Sequence, residues 1–193
     1  MTPSPADLLG AAFWALVGGM RIGLALRGHP LELPLAALTL LVAFRMVRRR
    51  KARWEAPLPR RLAAWLAAVL PWGAGLGAPP PSPLAPLGQG MAALGVLLAL
   101  WAMLALGDRF GIAPADRGLA TGGPYRLVRH PMYAGELLAF AGALLARPSP
   151  LGLGLLVLSA LLAGLRIRWE EEGIRGYDAY AARVRWRLIP FVW

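Results

Sequence analysis

Cysteine does not occur among the 193 residues. Disulfides, thiolate metal sites and cysteine nucleophiles are therefore excluded, and no metal site is expected. Acidic residues are few, ten against 21 Arg and Lys, for a formal net charge of +11. No basic segment or small-residue cleavage site opens MTPSPADLL, so no removable signal peptide is expected. There is no internal repeat, and no low-complexity segment beyond the proline cluster Pro79–Pro86.

What is abundant is apolar. The hydrophobic share is 58%, against about 45–50% in soluble chains. It comes in six blocks, near Leu8–Leu26, Leu31–Phe44, Leu62–Leu76, Leu87–Leu106, Met132–Ala146 and Leu151–Leu165. A bilayer crossing needs about 20 such residues. The reading is an all-α, polytopic integral membrane protein of about five to six helices. The last two blocks, near 15 residues each and joined by Arg147-Pro148-Ser149-Pro150, predict a helical hairpin of about 22 Å, short for a perpendicular crossing of the bilayer, and whether its helices fully span stays open. Residues 1–106 are N-terminal membrane helices. Residues 107–193 hold a loop, the hairpin and a tail, within one membrane domain.

The basic residues are not spread evenly. Arg45, Arg48, Arg49, Arg50, Lys51, Arg53, Arg60 and Arg61 fall between blocks two and three. Arg109, Arg117, Arg126 and Arg129 fall between blocks four and five. Arg166, Arg168, Arg175, Arg183, Arg185 and Arg187 end the chain. These share one side of the membrane. Positive-inside reasoning puts both termini, the 107–131 loop and the tail in the cytoplasm, with the chain in the inner cell membrane. The clusters read as topology and headgroup attraction. No nucleic-acid partner is expected, and Arg45–Arg61 is assigned no chemistry.

Polar residues that persist beside a membrane mark function. Two stretches concentrate them: Asp116–Glu136, DRGLATGGPYRLVRHPMYAGE, and Arg166–Pro190, RIRWEEEGIRGYDAYAARVRWRLIP. Gly122-Gly123-Pro124-Tyr125 demands irregular backbone. Arg129-His130-Pro131 then starts a helix, proline being well placed in a first turn. The amides of Met132 and Tyr133 are left as free donors at a helix N-terminus, which favours a carboxylate or phosphate. Tyr125 and Tyr133 offer ring faces to a cation such as a sulfonium. Glu136, one turn past Met132, needs a partner or water, and a nearby arginine would serve. Arg166 and Glu170, four apart, share a helix face, while Glu171 and Glu172 point elsewhere. Glu170 could hold an amino group or a ribose hydroxyl, and Arg166 could clamp an anion. Tyr177, Tyr180, Val184 and Leu188, set against Arg183, Arg185 and Arg187, predict an amphipathic segment over Tyr177–Pro190 that lids the site or anchors at the interface.

The order Gly-Pro-Tyr, Arg-His-Pro-x-Tyr, apolar hairpin, Arg-x-x-x-Glu-Glu and Tyr-x-x-Tyr resembles that of the isoprenylcysteine carboxyl methyltransferase family and the related bacterial phospholipid methyltransferases. GPYRLVRHPMYAG carries it most specifically, and the resemblance runs from about Leu106 to Pro190. It departs after Glu170-Glu171-Glu172-Gly173-Ile174, where the chain turns almost directly into Gly176-Tyr177 without the family's Phe-Gly pair. The resemblance implies S-adenosylmethionine as cofactor and a lipid-like or lipidated acceptor that enters from the bilayer. By motif, Arg117, Gly118, Leu119, Ala120, Tyr125, His130, Pro131, Met132, Tyr133 and Glu170 would contact the cofactor. Arg166 would orient the acceptor, and Glu170 or His130 would take a proton from an amine or thiol. The accepting atom stays open between carboxylate oxygen, amine and thiol, and the sequence does not set the oligomeric state. Two other readings remain: an NADPH-dependent membrane reductase of isoprenoid or sterol double bonds, and a non-enzymatic scaffold or transporter component.

Overall fold

A computed structural model describes residues 3–29, 31–73 and 79–193. Each apolar block forms a helix: α1 Pro5–Leu26, α2 Glu32–Arg48, α3 Leu58–Gly73, α4 Ala85–Leu106, α5 Pro131–Ala146 and α6 Pro150–Gly173. The expected end of the third block at Leu76 lies outside the described residues. A short α7, Tyr177–Arg183, follows α6. Among the described residues, strand is confined to a two-residue antiparallel pair, β1 Trp54–Glu55 with β2 Ala115–Asp116.

Helices α1, α4 and α6 have 22, 22 and 24 residues, so they extend about 33–36 Å. That exceeds a hydrocarbon core of about 30 Å. All three are apolar enough to cross a membrane, and the protein is an all-α membrane protein. Their surface is inverted relative to a soluble helix. On α4, Leu94 and Leu104 are 63% and 58% exposed, while Ala99 and Ala102 are buried. In lipid, leucine gains nothing by facing a neighbouring helix, whereas small residues let backbones approach.

Two helix pairs follow that rule. Gly88 and Gly95 on α4 face Gly142 and Gly135 on α5. A Cβ at Gly88 would lie 2.5 Å from the Gly142 carbonyl oxygen, and one at Gly135 would lie 2.6 Å from the Gly95 oxygen. In the α1–α2 pair, a Cβ at Gly18 would meet Leu40 Cγ at 2.6 Å. Ser4 and Asp7 cap α1 reciprocally, with Ser4 N donating to Asp7 at 3.0 Å and Asp7 N to Ser4 Oγ at 3.2 Å. Asp7 also pairs with Arg49, joining the start of α1 to the end of α2.

Two expectations about the C-terminal half are corrected. The hairpin helices are not equally short. The charged run after Arg166 continues α6 to Gly173, so α6 is long enough to span, while α5 keeps 16 residues, about 24 Å. The amphipathic segment predicted over Tyr177–Pro190 is helical only as far as Arg183. Beyond it, the backbone turns to pair with the entry to α5. Arg129 N donates to Trp186 O at 2.8 Å, and His130 N donates to Arg187 O at 2.9 Å. A helical tail would have used those two carbonyls internally.

Candidate functional site

The 107–130 loop is irregular where its glycines require it. Gly118 and Gly123 have φ of 89° and 56°, the left-handed region that glycine enters without cost. Gly123–Arg126 forms one 3-10 turn, which sets Tyr125 inward. Pro131 occupies the first turn of α5. The amides of Met132 and Tyr133 have no hydrogen-bond partner among the described residues.

This loop, the start of α5, the end of α6 and α7 enclose a cavity of about 720 Å³, mouth included. Arg117, Gly118, Leu119, Ala120, Tyr125, His130, Met132, Tyr133, Arg166 and Glu170 all line it. Of the residues picked from sequence, Pro131 alone is not among the lining, being fully buried in its turn.

Aromatic rings form a run along the cavity. The His130 ring stacks with Tyr133 at 5.8 Å and with Tyr177 at 6.1 Å between centroids. Tyr177 meets Tyr180 edge-on at 5.7 Å. All four tyrosines of the chain line this one cavity. Burial pushes the Tyr125 and Tyr177 hydroxyls well up, helped by the Glu170 and Glu171 carboxylates respectively. Burial likewise lifts Tyr180 to about 12. These phenols therefore remain protonated donors at neutral pH.

The donors are used. Tyr133 donates to Glu170, and Tyr180 donates to the Tyr125 carbonyl at 2.7 Å. His130 Nε2 lies 2.8 Å from the Tyr177 hydroxyl and 3.3 Å from Glu171, while its Nδ1 lies 3.7 Å from Glu170. Arg166 is buried, donates Nη2 to Ile112 O at 2.7 Å, and packs 4.5 Å from the centre of the Tyr133 ring. Three buried polar atoms at or beside the cavity have no partner: Arg129 Nε, Arg166 Nε and Asp116 Oδ2. Unmet buried groups are costly unless a ligand or water meets them.

Beside this cavity lies a larger apolar one of about 1210 Å³, mouth included, among α1, α2, α3, α4 and α5. Met132 and Arg166 line both. Trp14, Val42, Ala99 and Phe140 are among its walls.

Residues 85–176 match the family described as phospholipid methyltransferase. A yeast relative, phosphatidyl-N-methylethanolamine N-methyltransferase of Saccharomyces cerevisiae (strain ATCC 204508 / S288c), is 35% identical over 92 residues. The match covers 44% of this chain and 44% of that protein, so the chain spans less than half the length of its curated relative.

Sequence reasoning missed several parts of this site. Arg109, Arg129 and Ile174 line the cavity, and only the fold brings them there. Glu171, off the Arg166–Glu170 face, is not among the lining but braces residues that are. It takes Arg187 through both oxygens, at 3.0 Å from Nε and 2.9 Å from Nη2, and approaches Arg129 Nη1 at 3.4 Å. The spacing of Glu171 to Glu170 gave no sign of this, because its partner is on the tail. The shortened segment after Glu172 still closes on the site. Gly176, at φ 76°, turns the chain straight into α7 and brings Tyr177 to His130.

The basic stretch Arg45–Arg61 also does more than set topology. Arg117 Nε donates to Arg50 O at 3.1 Å, and Arg117 Nη2 lies 3.5 Å from Glu55. Burial holds the Arg117 guanidinium down to about 10, with Arg49 adding to the effect and Glu55 opposing it. Arg53 N donates to Asp116 O, and Ala56 N to Pro114 O. The N-terminal half thus props the loop that forms one wall of the cavity.

Proposed function

We propose that this chain is an S-adenosylmethionine-dependent methyltransferase whose acceptor is a membrane lipid or lipidated molecule. The observation that carries the reading is one cavity, lined by aromatic rings and the Glu170 carboxylate, meeting an apolar cavity at Arg166. The family of residues 85–176 supports it.

The donor set fits a zwitterionic sulfonium cofactor. The free amides of Met132 and Tyr133 and the unpaired Arg129 Nε–H suit its carboxylate. The ring faces of Tyr125, Tyr133 and Tyr177 suit its positive sulfur. Glu170 suits its amino group or ribose hydroxyls, and Arg117, Gly118, Leu119 and Ala120 supply the wall opposite. When bound, the cofactor supplies an electrophilic methyl group.

The chain's own work is then positioning and the exclusion of water, because alignment dominates a displacement of this kind. Arg166, on the boundary between the two cavities, orients the acceptor. Tyr133 holds Glu170, and the Tyr177 hydroxyl fixes His130 at Nε2. The cavity, both termini and the 107–131 loop face the cytoplasm of the inner membrane, following the arginine distribution.

The test is titration of purified protein with S-adenosylmethionine, followed by radiolabelled methyl transfer into membrane lipid extracts. Tyr133→Ala is expected to weaken cofactor binding. Arg166→Ala is expected to bind the cofactor and lose turnover. Wild-type protein that does not bind S-adenosylmethionine, or a Tyr133→Ala variant of unchanged affinity, overturns the reading.

A further inference from the structure

Beyond Arg117 lies a further cavity that the site above does not use. It holds about 410 Å³, mouth included, between the start of α1, the end of α2, the start of α3 and the loop residues around Ile112–Arg117. Its charged lining is Arg49, Glu55, Arg61 and Arg117, three guanidiniums against one carboxylate. Asp7, outside the lining, takes Arg49. Glu55 is left to answer Arg61 and Arg117 together. It stands 3.4 Å from Arg61 Nη1 and 3.5 Å from Arg117 Nη2, beyond the distance of about 2.7–2.9 Å at which charged groups hydrogen-bond.

Arg117 is the partition between this cavity and the aromatic one. Its side chain is 4% exposed, and its Nη2 faces Glu55. Its Nη1 lies on the other side, 2.6 Å from where a Cβ at Gly111 would stand, and Gly111 lines the aromatic cavity. Nε is used by the Arg50 carbonyl, while Nη1 and Nη2 make no hydrogen bond among the described residues. A buried charge is costly unless it is paired and hydrogen-bonded. Burial, then the like charges of Arg49 and Arg61, hold the Arg117 guanidinium down to about 10 against the opposing pull of Glu55 and Asp7. Met46, Trp65 and Ile112 add an apolar wall, which keeps water away and strengthens charge interactions inside. The cavity therefore holds more donors and more positive charge than the surrounding groups of the chain satisfy.

We propose that Arg49, Arg61 and Arg117 form a binding site for a phosphate group, carried by a small soluble molecule or by a lipid headgroup. The site is separate from the cofactor and acceptor cavities and does not depend on the function proposed above. A carboxylate is filled by one guanidinium fork, whereas a phosphate has oxygens to spare for donors that converge from three directions. Bound phosphate takes the Arg61 and Arg117 N–H groups that Glu55 holds only loosely. Glu55 faces the same two cations, so it competes with the ligand as a like charge. The ligand's charge then lies against Arg117, whose opposite face belongs to the aromatic cavity.

The test uses the full chain in uncharged detergent. One arm titrates inorganic phosphate by calorimetry, with chloride at equal ionic strength as the reference. The other reads phosphatidic acid by native mass spectrometry, with diacylglycerol, which keeps the chains and lacks the phosphate, as the reference. Binding in the first arm assigns a soluble source, and binding confined to the second assigns a lipid. Absence of both in wild type overturns the proposal, whether or not the variants fold. Arg61→Gln is expected to weaken the bound probe about tenfold, roughly what one hydrogen bond to a charged group provides. Glu55→Gln removes the competitor and is expected to tighten binding severalfold. Lys51→Gln makes the same charge change as Arg61→Gln at an exposed residue outside the cavity and is expected to leave binding unchanged. Equal loss in Arg61→Gln and Lys51→Gln overturns the site, since it marks diffuse attraction to the basic segment. Phosphatidic acid that binds Arg61→Gln as well as wild type also overturns it, because the lipid then lies elsewhere, and so does a Glu55→Gln variant that binds no tighter.

Discussion

Replacing Arg187 with alanine is expected to loosen the strap that the C-terminal segment lays across the start of α5. Arg187 reaches both oxygens of Glu171, at 3.0 and 2.9 Å for the nearest contacts. A hydrogen bond to a charged group contributes about 1.5–3 kcal/mol, and the forked geometry favours the upper half. Two features reduce the figure. The Arg187 side chain is 34% exposed, so water and salt screen it. Glu171 also keeps Arg129, His130 and Tyr177 within reach, so truncation strands no bare charge. The net loss is then about 1–2 kcal/mol, a factor of roughly 5–30 in the opening equilibrium. Opening breaks the hydrogen bonds from the Arg129 and His130 amides to Trp186 and Arg187. Hydrogen exchange of the peptide covering those two amides should accelerate by that factor, while the α4–α5 interface stays protected. Wild type in 1 M salt should move toward the variant, because the screening length falls to about 3 Å. Unchanged exchange at these amides refutes the strap as an element held by Glu171 and Arg187.

Other outcomes follow from the packing and the buried phenols. Gly135→Leu should lower the thermal midpoint clearly, as overpacking costs about 1–3 kcal/mol where the neighbour can yield and here the neighbour is backbone; Gly90→Leu, which meets nothing within 4 Å, should not, and equal effects would count against the α4–α5 contact. In alkaline titration of the folded protein, Tyr125, Tyr177 and Tyr180 should show no phenolate absorbance near pH 10, since burial lifts all three and sets Tyr180 at about 12. Their folded values exceed the unfolded value of about 10, so their contribution to stability is complete below that pH and is lost as pH rises through the folded values; three phenols ionising near 10 in folded protein would contradict the burial. Tyr180→Phe removes one bond to the Tyr125 carbonyl and should cost about 1 kcal/mol, read as a shift in thermal midpoint.

The helices were legible because their signal is one-dimensional. Long apolar blocks with arginines between them require helix in a bilayer, where backbone groups must be satisfied within the segment. The cavity was largely legible because its contributors lie in two compact motifs at fixed spacing. Tyr133 follows His130 by one turn, and Glu170 follows Arg166 by one turn, so helix geometry puts each pair on one face. What was not legible needed a third dimension. The length of α6 depended on a charged run continuing a helix that hydropathy alone would have stopped. The tail left the helical path because the amides at positions 129 and 130 offered partners that no sequence window contains.

The least legible contribution comes from the part of the chain outside the family match. Glu55 and the Arg50 carbonyl hold Arg117, yet both lie well before residue 85, where that match begins. The β1–β2 pair fixes Trp54 opposite Asp116, and the Trp54 ring packs against the last residue of α6 at Gly173. One short strand therefore touches the loop before the site and the helix that carries Arg166 and Glu170. Phe110 and Ile112, which begin that loop, are buried in a cluster with Trp14 of α1 and Met46 of α2. Loops stay ordered only where other elements bury them. The first 84 residues are thus structural partners of the site, and they also form three sides of the apolar cavity that Glu136 and Arg166 enter. A C-terminal fragment limited to the family match would keep most of the motif residues and lose both the wall that holds Arg117 and the chamber that Glu136 faces.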